Sequence, residues 1–186
     1  MAKEAESTAA GGWSGWRIAG WSVPALLLLL PLVAMQFTDE VNWTAFDFVF
    51  AAVLFGSVGL AFEFIVRKSI SIAYRCGAAL AVIAAFLTIW VNGAVGMIGS
   101  EDNPYNFLFL GVLVIALIGA IVARFRPDGM VRAMAAAGIA QAALSAFGLP
   151  TDVRGAMFSM AFTAFWLVAA ALFWSAARSA DEAARA

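Results

Sequence analysis

Six stretches of this chain contain no charged residue over 15 to 25 consecutive positions, and this pattern restricts the folds that it can adopt. In chain order they cover residues 18–38, 48–62, 76–100, 105–123, 133–151 and 155–177. About 20 apolar residues in a helix span the hydrocarbon core of a bilayer. The chain is 64% hydrophobic and only 12% charged, about half the charged fraction usual in soluble proteins. Lipid is therefore the expected surroundings of these stretches.

The fold that we predict is all-α, an integral membrane six-helix bundle made of three transmembrane hairpins. The predicted helices cover residues 18–38, 45–66, 76–100, 105–123, 130–148 and 155–177. They form one domain over residues 16–178, between a flexible cytoplasmic tail at 1–15 and a cytoplasmic tail at 179–186. A signal peptide is the alternative for the first stretch, but Leu32 stands where cleavage after Ala34 would require a small residue. An uncleaved helix is preferred.

Basic residues fall almost entirely on one side of the predicted bundle. Ten of the eleven lie on the side of both termini, and only Arg154 lies on the other. Because lysine and arginine stay on the cytoplasmic side of bacterial membranes, both termini are predicted to be cytoplasmic. The acidic turn with Glu101 and Asp102 then lies on the outer side.

Two turns carry strong local signals. Asn103 is a natural N-cap and Pro104 suits the first helical position, where its missing N–H costs nothing. The segment from Arg124 to Gly129 is interpreted as a turn in which Pro127 fixes one dihedral and Gly129 takes the left-handed conformation.

Polar residues inside apolar helices are costly and need a partner or a purpose. Asn92 is followed by glycines at 93, 96 and 99. One interpretation is an interhelical hydrogen bond beside close helix packing. The other is an unwound segment whose free carbonyls and Asn92 amide bind a cation or a small polar molecule.

Gln141 lies near the centre of the fifth helix, among many alanines and glycines, with Ser145 one turn later. Small residues permit close packing, so this helix is predicted to be central and Gln141 to bond to a neighbouring helix.

Three acidic positions complete the candidate polar sites. Asp47 lies in the first turn of its helix, where it can cap, or it can line a transport path. Glu63 precedes Arg67 by one turn, the favoured order for an ion pair, but it can also act as a protonatable carboxyl. Glu101 and Asp102 are expected to form a solvated turn.

This chain lacks residues on which several classes of activity depend. It has no histidine, which removes the commonest general base and metal ligand, and one cysteine, Cys76, which excludes an intrachain disulfide. We predict no catalytic residue, no metal site, no cofactor and no enzymatic activity. The net charge of −1 gives no reason to expect nucleic acid as a partner.

The segment Met35-Gln-Phe-Thr-Asp-Glu-Val-Asn-Trp43, followed by a Phe-rich helix and Arg67-Lys68, resembles uncharacterised small multi-pass proteins of proteobacterial inner membranes. The resemblance implies a bacterial inner-membrane location and transfers no activity.

Two functions remain open at this stage. The first is a non-enzymatic accessory, assembly or scaffold component that packs against a membrane-protein partner or a second copy through faces of small residues. The second is a small transporter or channel whose cavity is lined by Asn92, Asp47 and Gln141.

Overall fold

The computed structural model describes residues 15–68 and 71–185, and every regular element in those residues is helical. Six α-helices follow one another, with a short 3-10 turn, Pro104–Asn106, before the fourth. They are α1 Gly15–Ala34, α2 Ala45–Lys68, α3 Ile72–Ala94, α4 Phe107–Val122, α5 Pro127–Gly148 and α6 Val153–Arg185.

Five of these helical segments are long and apolar enough to cross a membrane: α2, α3, Pro104–Val122, α5 and α6. The apolar part of α1, Trp21–Ala34, is shorter. The fold of the described residues is therefore all-helical, and these apolar helices fit the predicted membrane bundle. The sixth span and the orientation of the bundle stay predictions.

The chain divides into two compact units, one ending at Leu60 and one beginning at Ala61. In the first, α1 and α2 approach closely at Gly59, where an added Cβ would lie 2.8 Å from the ring of Trp21. In the second, α5 packs against both α4 and α6, and α3 packs against α6.

Small residues allow the close packing of α5 between α4 and α6 in the second unit. A Cβ on Gly119 of α4 would lie 2.6 Å from the Cβ of Ala133, and one on Gly138 would lie 3.0 Å from Leu167 of α6. The backbones can approach because these positions carry so little bulk. The two largest fully buried side chains of α6, Trp166 and Phe173, lie inside the core.

The N-cap predicted at Asn103 is confirmed, because its side chain accepts a hydrogen bond from Tyr105 N at 3.0 Å and Pro104 follows at the first turn.

Several predicted helix limits are wrong. The helix α1 ends at Ala34, not at residue 38, and α3 begins at Ile72, not at residue 76. The helix α3 ends at Ala94, not at residue 100, and residues 95–103 form an irregular loop. The helix α5 begins at Pro127, so Gly129 is helical and Arg124 and Phe125 adopt the left-handed conformation, with φ of 51° and 58°. Proline at the first helical position explains the early start.

At the chain ends, α6 runs on to Arg185, through most of the segment assigned to a tail. The predicted N-terminal tail lies outside the described residues except for Gly15.

Candidate functional site

A polar cluster of Gln141, Ser145 and Ser159 lies between α5 and α6, with all three side chains fully buried. The amide Nε2 of Gln141 donates to the backbone O and the Oγ of Ser159 at 3.0 and 3.1 Å. The hydroxyls of Ser145 and Ser159 share a hydrogen bond of 2.7 Å. The predicted bond from Gln141 to a neighbouring helix is confirmed, and its partner Ser159 is a residue that sequence reasoning missed.

One atom of this cluster is unsatisfied. Within the described residues, Gln141 Oε1 is buried without a hydrogen-bond partner, which offsets part of the stabilisation gained through Nε2.

Gln141→Leu is accordingly expected to lower the free energy of unfolding by only about 1 kcal/mol, because interhelical hydrogen bonds in membranes contribute little and the orphan oxygen disappears with the amide. Unfolding of the purified protein by sodium dodecyl sulfate in mixed micelles measures this change. A loss of about 3 kcal/mol or more would contradict a purely structural role for this amide.

Asn92 lies near the C-terminal end of α3. It is two positions before the last helical residue, Ala94, which corresponds to a rise of about 3 Å. Its Nδ2 donates to the backbone O of Thr88 in the same helix at 2.7 Å, and its buried Oδ1 has no partner within the described residues. The interhelical bond expected of this amide is therefore not formed.

The chain leaves the helical conformation after Ala94, and this agrees with the unwound segment that the glycine pattern suggested. Gly96 and Gly99 take left-handed φ values of 77° and 73°, whereas Gly93 remains in the helix. Several backbone N–H and C=O groups of this loop are hydrogen-bonded within the protein, because the side chain of Asn106 bonds to residues 97, 98 and 100.

Asn106, only 5% exposed, holds this loop together. Its Oδ1 accepts from the backbone N–H of Met97 and Ile98 at 3.0 and 2.8 Å. Its Nδ2 donates to Ser100 O at 2.8 Å and to Ile98 O at 3.3 Å. Sequence reasoning passed over Asn106, although it follows the cap of Asn103 by three residues.

Asp152 fastens the same loop to the start of α6. One carboxylate oxygen accepts from Gly99 N at 2.9 Å and the other from Gly155 N at 3.0 Å. The N–H groups of Gly155 and Gly99, helped by Arg154, hold the pKa of Asp152 below its ordinary value. The ionised form is thus the one that the fold prefers.

This preference makes stability depend on pH. A depressed pKa in the folded state contributes stability in full above about pH 4, where an unfolded aspartate is ionised, and loses it as pH falls through the lower folded value. We expect the thermal midpoint of the wild-type protein to fall on acidification through this window. Asp152→Asn should be less stable at neutral pH and should lose less on acidification. Parallel pH profiles of both proteins would contradict the assignment to Asp152.

The two acidic residues of α2 have local partners. Asp47 Oδ2 accepts from the backbone N and the Oγ1 of Thr44 at 2.7 and 2.8 Å, and Asp47 N donates to Thr44 Oγ1 at 3.4 Å. Thr44 and Asp47 therefore form a capping box at the start of α2. Arg67 Nη2 lies 2.7 Å from Glu63 Oε1, so the predicted ion pair is present, with side chains 70% and 26% exposed respectively.

The remaining candidate residues do not form an organised binding site. Glu101 and Asp102 lie exposed in a turn. Within residues 15–68 and 71–185, no three His, Cys, Asp or Glu side chains come together as metal ligands would.

An apolar groove of about 240 Å³ lies in the second unit. It is lined mainly by α3 and α4, which make little contact with each other, and also by α2, by Met134 of α5 and by Trp166 of α6. Neither Asn92 nor Gln141 lines it. Sequence reasoning missed this groove, since it depends on which helices separate.

The chain matches no protein-family model, and no curated protein or solved structure shows significant similarity to it.

Proposed function

We propose that this chain is a non-enzymatic accessory, assembly or scaffold component of a bacterial inner membrane, with six spans and both termini in the cytoplasm. The observation that carries the proposal is the fully buried polar cluster of Gln141, Ser145 and Ser159, because its hydrogen bonds join α5 to α6 and only Gln141 Oε1 is left without a partner in the described residues. A transport path through the bundle needs polar groups facing a cavity.

The surface available to a partner is a large apolar one. The small residues of α5, which were predicted to permit close packing, lie against α4 and α6 within the chain. In contrast, α4 exposes a broad face of Val114, Ile115, Leu117, Ile118 and Ile121. This face suits lipid or the helix of another membrane protein, or that of a second copy.

Topology is tested with single cysteines in a Cys76→Ser background. Asp102→Cys lies in an exposed turn after α3, and Asp128→Cys lies exposed at the start of α5. With six spans and cytoplasmic termini, a membrane-impermeant maleimide should label residue 102 in intact spheroplasts and residue 128 only after lysis. The opposite pattern would refute the proposed orientation.

The scaffold role is tested by affinity purification in mild detergent. A stoichiometric membrane protein or a defined homo-oligomer should be recovered, and Ile118→Trp on α4 should release it. The matched control Ile139→Trp changes an exposed position on α5, with 69% exposure against 55% for Ile118. Recovery of a monomer alone, from cells that express the chain at a low level, would count against a scaffold.

A small transporter or channel is the second candidate, favoured by one observation. Asn92 Oδ1 is buried without a described partner, directly before the point where α3 ends. If this amide binds solute, proteoliposomes reporting proton or sodium flux should show transport that Asn92→Leu abolishes while the thermal midpoint is retained. Equal flux with and without the protein would reject this candidate for both ions.

A further inference from the structure

The groove between α3 and α4 has the length and lining of a binding site for a hydrocarbon chain. On α3 its lining runs from Tyr74 to Ala85, which is about 17 Å of helix. One leaflet contributes about 15 Å to the hydrocarbon core. An acyl chain lying in one leaflet therefore matches the groove from end to end.

The groove opens sideways onto the surface that lipid contacts. Two of its lining side chains, Leu117 of α4 and Phe64 of α2, are 59% and 46% exposed. A lipid can consequently enter from the bilayer without passing through water. The lining side chains are otherwise almost entirely apolar, and the hydroxyl of Tyr74 is already used in donating to Phe125 O at 2.8 Å.

Arginines flank one end of the groove in sequence. Phe125 and Tyr74 line that end, and Arg124, Arg126 and Arg75 adjoin them in sequence. Over residues 61–75 and 124–132 the chain carries six basic residues and two acidic ones. Arg67 pairs with Glu63, and Arg75 donates to Val66 O at 3.0 Å. Arg124 and Arg126 are exposed and form no salt bridge within the described residues.

The backbone between α4 and α5 is held in an unusual conformation that serves this arrangement. Arg124 and Phe125 are both left-handed, a conformation that costs about 1 kcal/mol or more for a residue with a side chain. Three contacts hold Phe125: its N–H donates to Ala120 O at 3.0 Å, its O accepts from Tyr74, and its ring packs edge-on against Phe64. The strain thus places an aromatic wall beside two arginines at one end of the groove.

We propose that this groove binds an anionic phospholipid, with one acyl chain between α3 and α4 and the phosphate at Arg124 and Arg126. Arginine is suited to phosphate because its guanidinium donates two parallel hydrogen bonds. The assignment goes beyond the proposed function and holds for a scaffold or a transporter alike, since it requires only that these helices lie in lipid.

Native mass spectrometry of the detergent-purified full chain, titrated with phosphatidylglycerol or phosphatidylcholine of identical acyl chains, tests the proposal. We expect phosphatidylglycerol to bind at least about fivefold more tightly, and Arg124→Gln and Arg126→Gln each to weaken it about fivefold. Binding of phosphatidylcholine should change little. The control Arg154→Gln removes the same charge from an exposed position at the start of α6 and should leave both affinities unchanged.

The acyl chain is tested separately by filling the groove. Ala81→Leu and Ala85→Leu, one turn apart on α3, should each weaken both lipids, and an unfolding curve establishes that each variant is folded. If one fails to fold, the other and the arginine variants still decide the matter.

Equal affinity for the two lipids, or an equal effect of Arg154→Gln and Arg126→Gln, would overturn the proposal. A stable dimer that binds neither lipid would overturn it too, because the groove would then be covered by a second copy. None of these results depends on membrane orientation or on recovery of a protein partner, so failure here is distinguishable from failure of the proposed function.

Discussion

Asn106→Leu is expected to lower the free energy of unfolding by about 3 to 4 kcal/mol, because a buried donor or acceptor left without a partner costs about 1 to 3 kcal/mol. The side chain is 5% exposed and accepts from two successive backbone N–H groups, those of Met97 and Ile98. Leucine preserves the bulk and removes both acceptor bonds. The carbonyls suffer less, since Ile98 O and Ser100 O each accept from a second donor, on Asn103.

Unfolding of the purified chain by sodium dodecyl sulfate measures the effect of Asn106→Leu, with two comparison variants. Asn106→Asp keeps the acceptor oxygen, but its second oxygen faces Ser100 O and Ile98 O in a buried site, so its loss should be at least as large at neutral pH and smaller in acid, where a protonated carboxyl can donate. Asn103→Ala removes one cap bond and one bond to Ile98 O, and should cost about 1 kcal/mol. If Asn106→Leu costs no more than Asn103→Ala, the loop does not depend on Asn106 as described.

The parts of the fold that the sequence predicts well are those set by local chemistry. The long uncharged stretches predict helices because backbone polar groups in lipid must bond within their own segment. The start at Asn103 and Pro104 is likewise local, since the cap bond spans only two residues. The capping of α2 by Asp47 and the ion pair of Glu63 with Arg67 act within one turn of helix.

The end of α3 could not be predicted because residues 95–100 are as uncharged as the helix before them. What stops the helix is tertiary: Asn106 takes the N–H groups of Met97 and Ile98, and Asp152, 53 residues away, takes that of Gly99. The glycine pattern indicated a weak helix without showing where it would break.

For the candidate sites too, the sequence indicates individual residues but not the partners that tertiary structure gives them. Gln141 was recognisable as an amide among small residues, but its partner Ser159 depends on the pairing of α5 with α6. The left-handed pair Arg124 and Phe125 ran against the expectation that Gly129 would take this conformation, because residues with side chains seldom have positive φ. The groove depends on the conformation of that turn and on the separation of α3 and α4, neither of which the sequence indicates.

Gly96→Ala is expected to destabilise the chain by about 3 kcal/mol or more, since a left-handed residue with a side chain costs about 1 to 3 kcal/mol before any steric clash. The φ of Gly96 is +77°, and an added Cβ would lie 2.5 Å from Ser100 O and 2.6 Å from Asn106 Nδ2. The methyl group would therefore displace the amide that closes the loop. The thermal midpoint should fall accordingly, together with the free energy of unfolding.

Gly93→Ala is the matched control, three residues earlier in the same glycine series. Gly93 is helical, and an added Cβ there would meet nothing within 4 Å. Alanine should therefore stabilise α3 by up to about 1 kcal/mol through its greater helix propensity. Opposite signs for the two variants would separate a loop-forming glycine from a merely helical one. Equal effects would mean that α3 continues past Ala94, and that the loop held by Asn106 and Asp152 is not the stable state of this segment.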